Sequence, residues 1–141
     1  MALASGIQEN IADQNNELNT VIAMGSILSQ NPVDGTLFGA TQASLMGFVT
    51  KGIAIRQNNQ KIAPAGNPAI AGLAIVANAQ MTELNLTISL GVGGVNVARD
   101  NATVNKLKGD FAGGITQNMK NLAAVSYPLR YMSEKRAEFW S

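Results

Sequence analysis

The chain contains neither cysteine nor histidine. Without cysteine there is no disulfide, thiol nucleophile or thiolate metal site, and no redox compartment is indicated. Without histidine the usual general base, the usual proton shuttle and the commonest metal ligand drop out together. A Ser-His-Asp triad, a histidine-rich metal site and an HExxH zinc helix are excluded by composition. Charge is also scarce. Ten basic and nine acidic residues leave a net charge of +1, and charged residues are 13% of the 141, about half the quarter typical of a soluble domain. That balance provides no global field for nucleic acid or an anionic membrane.

Long hydrophobic runs are missing too. A spanning helix needs about 20 mainly apolar residues, whereas the longest clean run, Ala69 to Ala77, has nine and is flanked by Pro68 and Asn78. Residues 1–10 have no basic start and no long apolar stretch, so no cleavable signal is visible. These features predict a cytoplasmic product, or one exported without a cleaved signal. The few charges are unevenly placed: only Asp34 lies between Glu17 and Lys51, and only Glu83 between Lys61 and Arg99. Such stretches suit surfaces that meet other protein, because a monomer usually solvates its outer faces with Lys and Glu.

What fills the gaps is helical. Ser5 and Gln8 make a capping box, opening a predicted helix to about Gln30. Ile7, Ile11, Leu18, Val21 and Leu28 form its stripe, with Gln14 and Gly25 in register. Asn31-Pro32-Val33-Asp34-Gly35 stops it. A second helix is predicted over 36–61, with Phe38, Leu45, Phe48, Ile55 and Ile62 on its stripe and Thr41 and Gly52 in register. Two helices joined by so short a turn pack antiparallel. The expected fold is therefore mainly α, a single domain over 1–141 with a helical hairpin over 5–61 and a C-terminal part over 68–141. Pro68 marks the start of a third helix near Ala69.

From Glu83 the pattern reads two ways. Leu84, Leu86, Ile88 and Leu90 alternate with polar residues as a half-buried strand does, and Gly93-Gly94 would turn it into a hairpin near 84–97. Alternatively the third helix continues. Val104, Leu107, Phe111, Ile115, Met119, Leu122 and Val125 then predict a helix over about 100–126, and Pro128 a short terminal one. Tyr127, Tyr131, Phe139 and Trp140 lie there among Arg130, Lys135 and Arg136. They suit docking on a neighbouring subunit better than stacking on nucleic acid, given the net charge.

No motif carries catalytic chemistry. Gly91-Val92-Gly93-Gly94 lacks the last glycine of a dinucleotide loop, since Asn96 stands there. Glu9, Asp13 and Glu17, like Glu134 and Glu138, are spaced as solvated helix faces rather than paired acids. No catalytic, cofactor-binding or metal-ligating residue is expected, and no enzymatic activity. Gly25, Gly39, Ala43, Gly47 and Gly72 permit close helix approach, and 15 Asn with eight Gln can satisfy one another across uncharged contacts.

The run Gly35-Thr36-Leu37-Phe38-Gly39-Ala40-Thr41-Gln42-Ala43-Ser44-Leu45, followed by Arg56-Gln57-Asn58-Asn59-Gln60, resembles the core of the R-body ("killing trait") ribbon proteins. Here the glutamine cluster is diluted with asparagine, and the region after Pro68 has no counterpart in that pattern. The resemblance implies a cytoplasmic subunit that polymerises with itself or paralogous subunits into coiled ribbons used in bacterial toxin delivery, some of which unroll on acidification. Asn31-Pro32-Val33-Asp34, with Leu37 and Gln42, is similar to the turn of type III secretion needle subunits, which are shorter and end differently. Either likeness implies a hairpin that buries low-charge faces in a polymer. Leu37, Phe38, Gln42, Leu45, Tyr131 and Trp140 are the expected assembly contacts. Because histidine is absent, any acid response must come from carboxylates, and the Glu9, Asp13, Glu17 row is the expected sensor, its charges repelling those of a neighbouring subunit.

Overall fold

The computed structural model describes the backbone of residues 2–139 and the side chains of residues 2–126. Four helices follow one another: α1 (Ala2–Leu28), α2 (Gly35–Ile62), α3 (Ile70–Ser89) and α4 (Val97–Phe139). Short connections make each helix antiparallel to the last. The result is an all-α bundle in which α1 packs on α2 and α4, and α3 on α2 and α4. Helices α1 and α3 are thus diagonal, as are α2 and α4.

The buried residues advance by alternating steps of four and three, the repeat of a coiled-coil seam. On α1 the series is Leu3, Ile7, Asn10, Gln14, Glu17, Val21, Met24 and Leu28; on α4 it starts at Asp100, Val104, Leu107 and Phe111 and continues through Gly114, Asn118 and Asn121. Helices α2 and α3 follow the same rule. Apolar side chains close both ends of the bundle. Leu3, Ile7, Ala69 and Leu73 fill one end. Phe38, Leu45, Val49, Leu90, Leu107 and Phe111 fill the other, with Val21 and Met24. Between them the seam is polar.

Several expectations change at this level. Of the two readings of 84–97 the helical one holds and the hairpin does not: α3 runs on to Ser89, and no strand occurs among the described residues. Continuing the seam buries Thr87 and Leu90. The Gln42 side chain donates to the Thr87 and Leu90 carbonyls, both at 3.0 Å, which satisfies a helix end that would otherwise hold orphan acceptors. Ser5 is not a cap, because α1 begins at Ala2. Backbone helix also continues through Pro128 without a break.

Turns are fixed by side chains. Asp34 caps α2, accepting from the Leu37 amide at 2.9 Å, as an N-cap aspartate does. Between α3 and α4, Gly91, Gly93 and Gly94 take positive φ, which only glycine adopts without strain. Asp100 accepts from the amides of Gly91 (3.2 Å) and Asn96 (2.8 Å), while Arg99 donates to the carbonyls of Val92 and Gly94.

Candidate functional site

The middle of the bundle holds Asn10, Asp13, Gln14 and Glu17 from α1, Arg56 and Asn59 from α2, Gln80 and Glu83 from α3, and Asn118 and Asn121 from α4, all buried. Glycines make room for them. A Cβ on Gly52 would lie 2.7 Å from Asp13 Oδ2, 3.1 Å from Glu17 Oε1 and 3.4 Å from Gln80 Nε2. Gly114 does the same on α4, where a Cβ would lie 2.7 Å from Gln14 Nε2. Long polar side chains of α1 and α3 therefore reach across the axis into space that α2 and α4 leave open.

Part of this layer is well bonded. Asn118 Nδ2 donates to Asn10 Oδ1 (2.7 Å) and Gln14 Oε1 (3.0 Å), and Asn10 Nδ2 donates to the Gly52 carbonyl (2.8 Å). Arg56 Nε donates to Gln80 Oε1 at 2.9 Å. The carboxylates are not bonded. Both oxygens of Asp13, Glu17 and Glu83 are buried without a hydrogen-bond partner, and Asp13 has Lys51 3.8 Å away as its nearest cation among the described residues. Burial pushes Glu17 up to about 8, with repulsion from Glu83 and Asp13 adding to it. Burial likewise pushes Glu83 up to about 7, Asp110 raising it further and Lys106 opposing. Asp13 is raised by burial despite Lys51. Below neutrality Glu17 and Glu83 are held protonated, the cheaper state in such surroundings.

This placement corrects the solvated-face reading of the acidic row. Glu9 is exposed, but Asp13 and Glu17 point inward, so the three do not form one surface toward a neighbouring subunit. Among the expected assembly contacts, Phe38 and Leu45 are core residues and Gln42 is taken up by α3. Leu37 is 45% exposed. The side chains of Tyr131 and Trp140 lie outside the described residues.

The outer surface has a pattern that the charge count hides. Asn19, Thr20 and Ala23 meet Leu37, Thr41 and Phe48 in the groove between α1 and α2. Ile75, Ala79 and Thr82 meet Lys106, Asp110 and Gln117 in the groove between α3 and α4. Those two sides carry Lys51 with Asp13 and Lys106 with Asp110. The other two sides are almost free of charge. Toward α2, helix α3 presents Ile70, Ala74, Ala77, Met81, Leu84 and Ile88, beside Gly39, Ala43, Met46, Thr50 and Ile53 of α2. On the opposite side, α1 presents Ile11, Asn15, Leu18, Ile22 and Gly25 beside Ala112, Ile115, Met119 and Leu122 of α4. Exposure is high for Ile22 (46%), Ile70 (44%), Met81 (50%), Ile88 (51%) and Met119 (60%). Lys108, which reaches over Gly25, is the main charge on either face.

The two hairpins also repeat. Gln14-x-x-Glu17-Leu18-Asn19 on α1 returns as Gln80-x-x-Glu83-Leu84-Asn85 on α3, and Gly52-Ile53 with Asn59 on α2 returns as Gly114-Ile115 with Asn121 on α4. This repeat was the available sequence signal for the buried acids. No protein-family model, curated protein or solved structure matches the chain.

Proposed function

We propose that the protein is a structural subunit that self-assembles into a polymer through its uncharged faces. One observation carries this reading: charge is sorted onto two opposite sides of the bundle, leaving the other two with exposed isoleucine, leucine and methionine. Contiguous exposed apolar surface on a soluble protein marks an interaction site, and two such surfaces on opposite sides extend rather than close an assembly. The likeness of residues 35–60 to ribbon-forming R-body subunits points the same way. Among the described residues no helix is long and apolar enough to cross a membrane.

Negative-stain electron microscopy with sedimentation velocity at micromolar concentration tests the proposal. Ordered ribbons or filaments are expected; a stable monomer at physiological salt overturns it. A second reading, a nucleic-acid coat, draws on exposed Lys51, Lys61, Arg99, Lys106 and Lys120 against exposed Glu9 and Asp34. That reading requires assembly to depend on nucleic acid and to weaken steeply with salt.

A further inference from the structure

Resting on that reading, we infer that the polymer grows head to tail, the α2–α3 face of one copy seating the α1–α4 face of a second copy in register. The argument starts from heights along the bundle. Asp13 stands beside Lys51 and Gly52, and α1 and α2 are antiparallel. Ile22 of α1 is therefore level with Ala43 of α2, Leu18 with Met46, and Ile11 with Ile53. Gly72 stands beside Asn121, and Gly91 beside Asp100, so Met81 of α3 is level with Ala112 of α4, and Ala74 with Met119.

Each pair points to opposite sides of the molecule. A second copy displaced sideways, without rotation, brings its α1 against α2 of the first and its α4 against α3. Level residues then meet across the contact. Ile22 falls on Ala43, Met119 on Ala74 and Ala112 on Met81, so at these heights large side chains meet small ones, while Leu18 on Met46 and Ile11 on Ile53 set apolar against apolar. Gly25 falls on Gly39, and the polar Asn15 and Gln8 fall on Thr50 and Gln57. Knobs meeting small residues are what close helix packing needs, and no charge faces a like charge.

The size is adequate. On the α2–α3 face, helices of 28 and 20 residues rise about 42 and about 30 Å, each about 10 Å wide. A face of about 700 Å² results, within the range of the share one partner gives to a standard interface. The charged sides, with Lys51 and with Lys106 and Asp110, stay in water along the edges. A face-to-face contact between two like faces would not align these pairs.

The test uses two exposed positions, Ile22 and Ala43, neither of which is in the core. Ala43→Glu alone and Ile22→Lys alone are each expected to raise the critical assembly concentration at least tenfold, with unchanged circular dichroism. The double variant, in which Glu of one copy meets Lys of the next, should recover assembly to within about threefold of wild type. An equal mixture of the two single variants should also recover assembly, as an alternating copolymer, because unmodified faces meet at one junction and Glu meets Lys at the next. Assembly of both single variants at the wild-type concentration overturns the pairing while leaving self-assembly intact. Blocked single variants with no recovery in the double variant overturn the head-to-tail register in favour of like-face contacts. A wild type that stays monomeric sinks the underlying reading itself.

Discussion

Glu17 and Glu83 occupy matching seam positions on the diagonal helices α1 and α3, and each is buried with both carboxylate oxygens unbonded. Their folded-state affinities for protons are raised to about 8 and about 7, from an ordinary 4.5, chiefly by burial. The folded chain thus binds protons that the unfolded chain has released between about pH 4.5 and 8. Stability is undiminished below the ordinary value and falls as pH rises through that window. With each pKa unit worth about 1.4 kcal/mol, the two shifts taken whole set an upper bound of about 8 kcal/mol on the loss by pH 8.5. Urea midpoints from pH 5 to 8.5 are expected to decline steadily. Glu17→Gln and Glu83→Gln should each flatten the decline; an unchanged slope in both would show these acids to be uninvolved.

The contact between Asn118 and the pair Asn10 and Gln14 gives a second expectation. Asn118→Ala removes one donor and strands two buried acceptors, a cost of about 1–3 kcal/mol. Asn118→Asp should cost more when ionised, since it places a further carboxylate among acceptors. Thermal unfolding of the two variants at pH 5 and pH 8 checks this. The gap between them should widen at the higher pH.

The helices and their turns were legible because Pro32, Asp34 and Pro68 act locally, and the antiparallel hairpin followed from them. The seam was only half legible. Its apolar members Ile7, Val21, Phe38, Leu45, Val104, Leu107 and Phe111 stand out, but its middle is built from Asn10, Gln14, Glu17, Gly52, Arg56, Gln80, Glu83, Gly114, Asn118 and Asn121. A reading that follows hydrophobicity slides one residue sideways there, to Ile11, Leu18, Ile55, Ile115 and Met119. Ile11, Leu18, Ile115 and Met119 belong to the uncharged α1–α4 face, while Ile55 lies in the row of Thr41 and Phe48 on the α1–α2 side. The polar middle resists a hydrophobic reading because glycines on α2 and α4, not apolar side chains, complete it, and only tertiary packing shows which side of each helix is inside. The strand-like alternation at 84–90 misled for a related reason: Leu84 and Leu86 flank the seam, while Ile88 belongs to an outer face.

Two glycines should respond in opposite directions. At Gly52 a larger side chain meets Asp13 and Glu17, so Gly52→Val is expected to destabilise the bundle by about 1–3 kcal/mol through overpacking. A Cβ at Gly109 meets nothing within 4 Å, and Gly109→Ala should stabilise α4 by about 0.5–1 kcal/mol through helix propensity alone. Urea unfolding at pH 6 measures both. Stabilisation by Gly52→Val would mean that the polar side chains do not cross the axis at that height.

Asp100 has the opposite electrostatic sense. Burial works to raise it, but hydrogen bonds from Arg99 and from the amides of Asn96 and Gly91 prevail and hold it below its ordinary 3.8. Its contribution is therefore present above that value and disappears as pH falls through the lowered one. Together with the acids of the middle layer, this sets a maximum. Stability should climb as pH drops from 8 toward about 4.5 while Glu17 and Glu83 protonate, then fall once Asp100 begins to lose its charge. Asp100→Asn keeps the shape of the side chain but weakens its bonds to the 90–96 turn. That variant should be less stable than wild type at pH 5 and should lack the wild type's acid-side decline. Chemical denaturation at half-unit steps from pH 2.5 to 8 gives both limbs in one series. An acid-side decline of equal size in Asp100→Asn would assign it to other carboxylates.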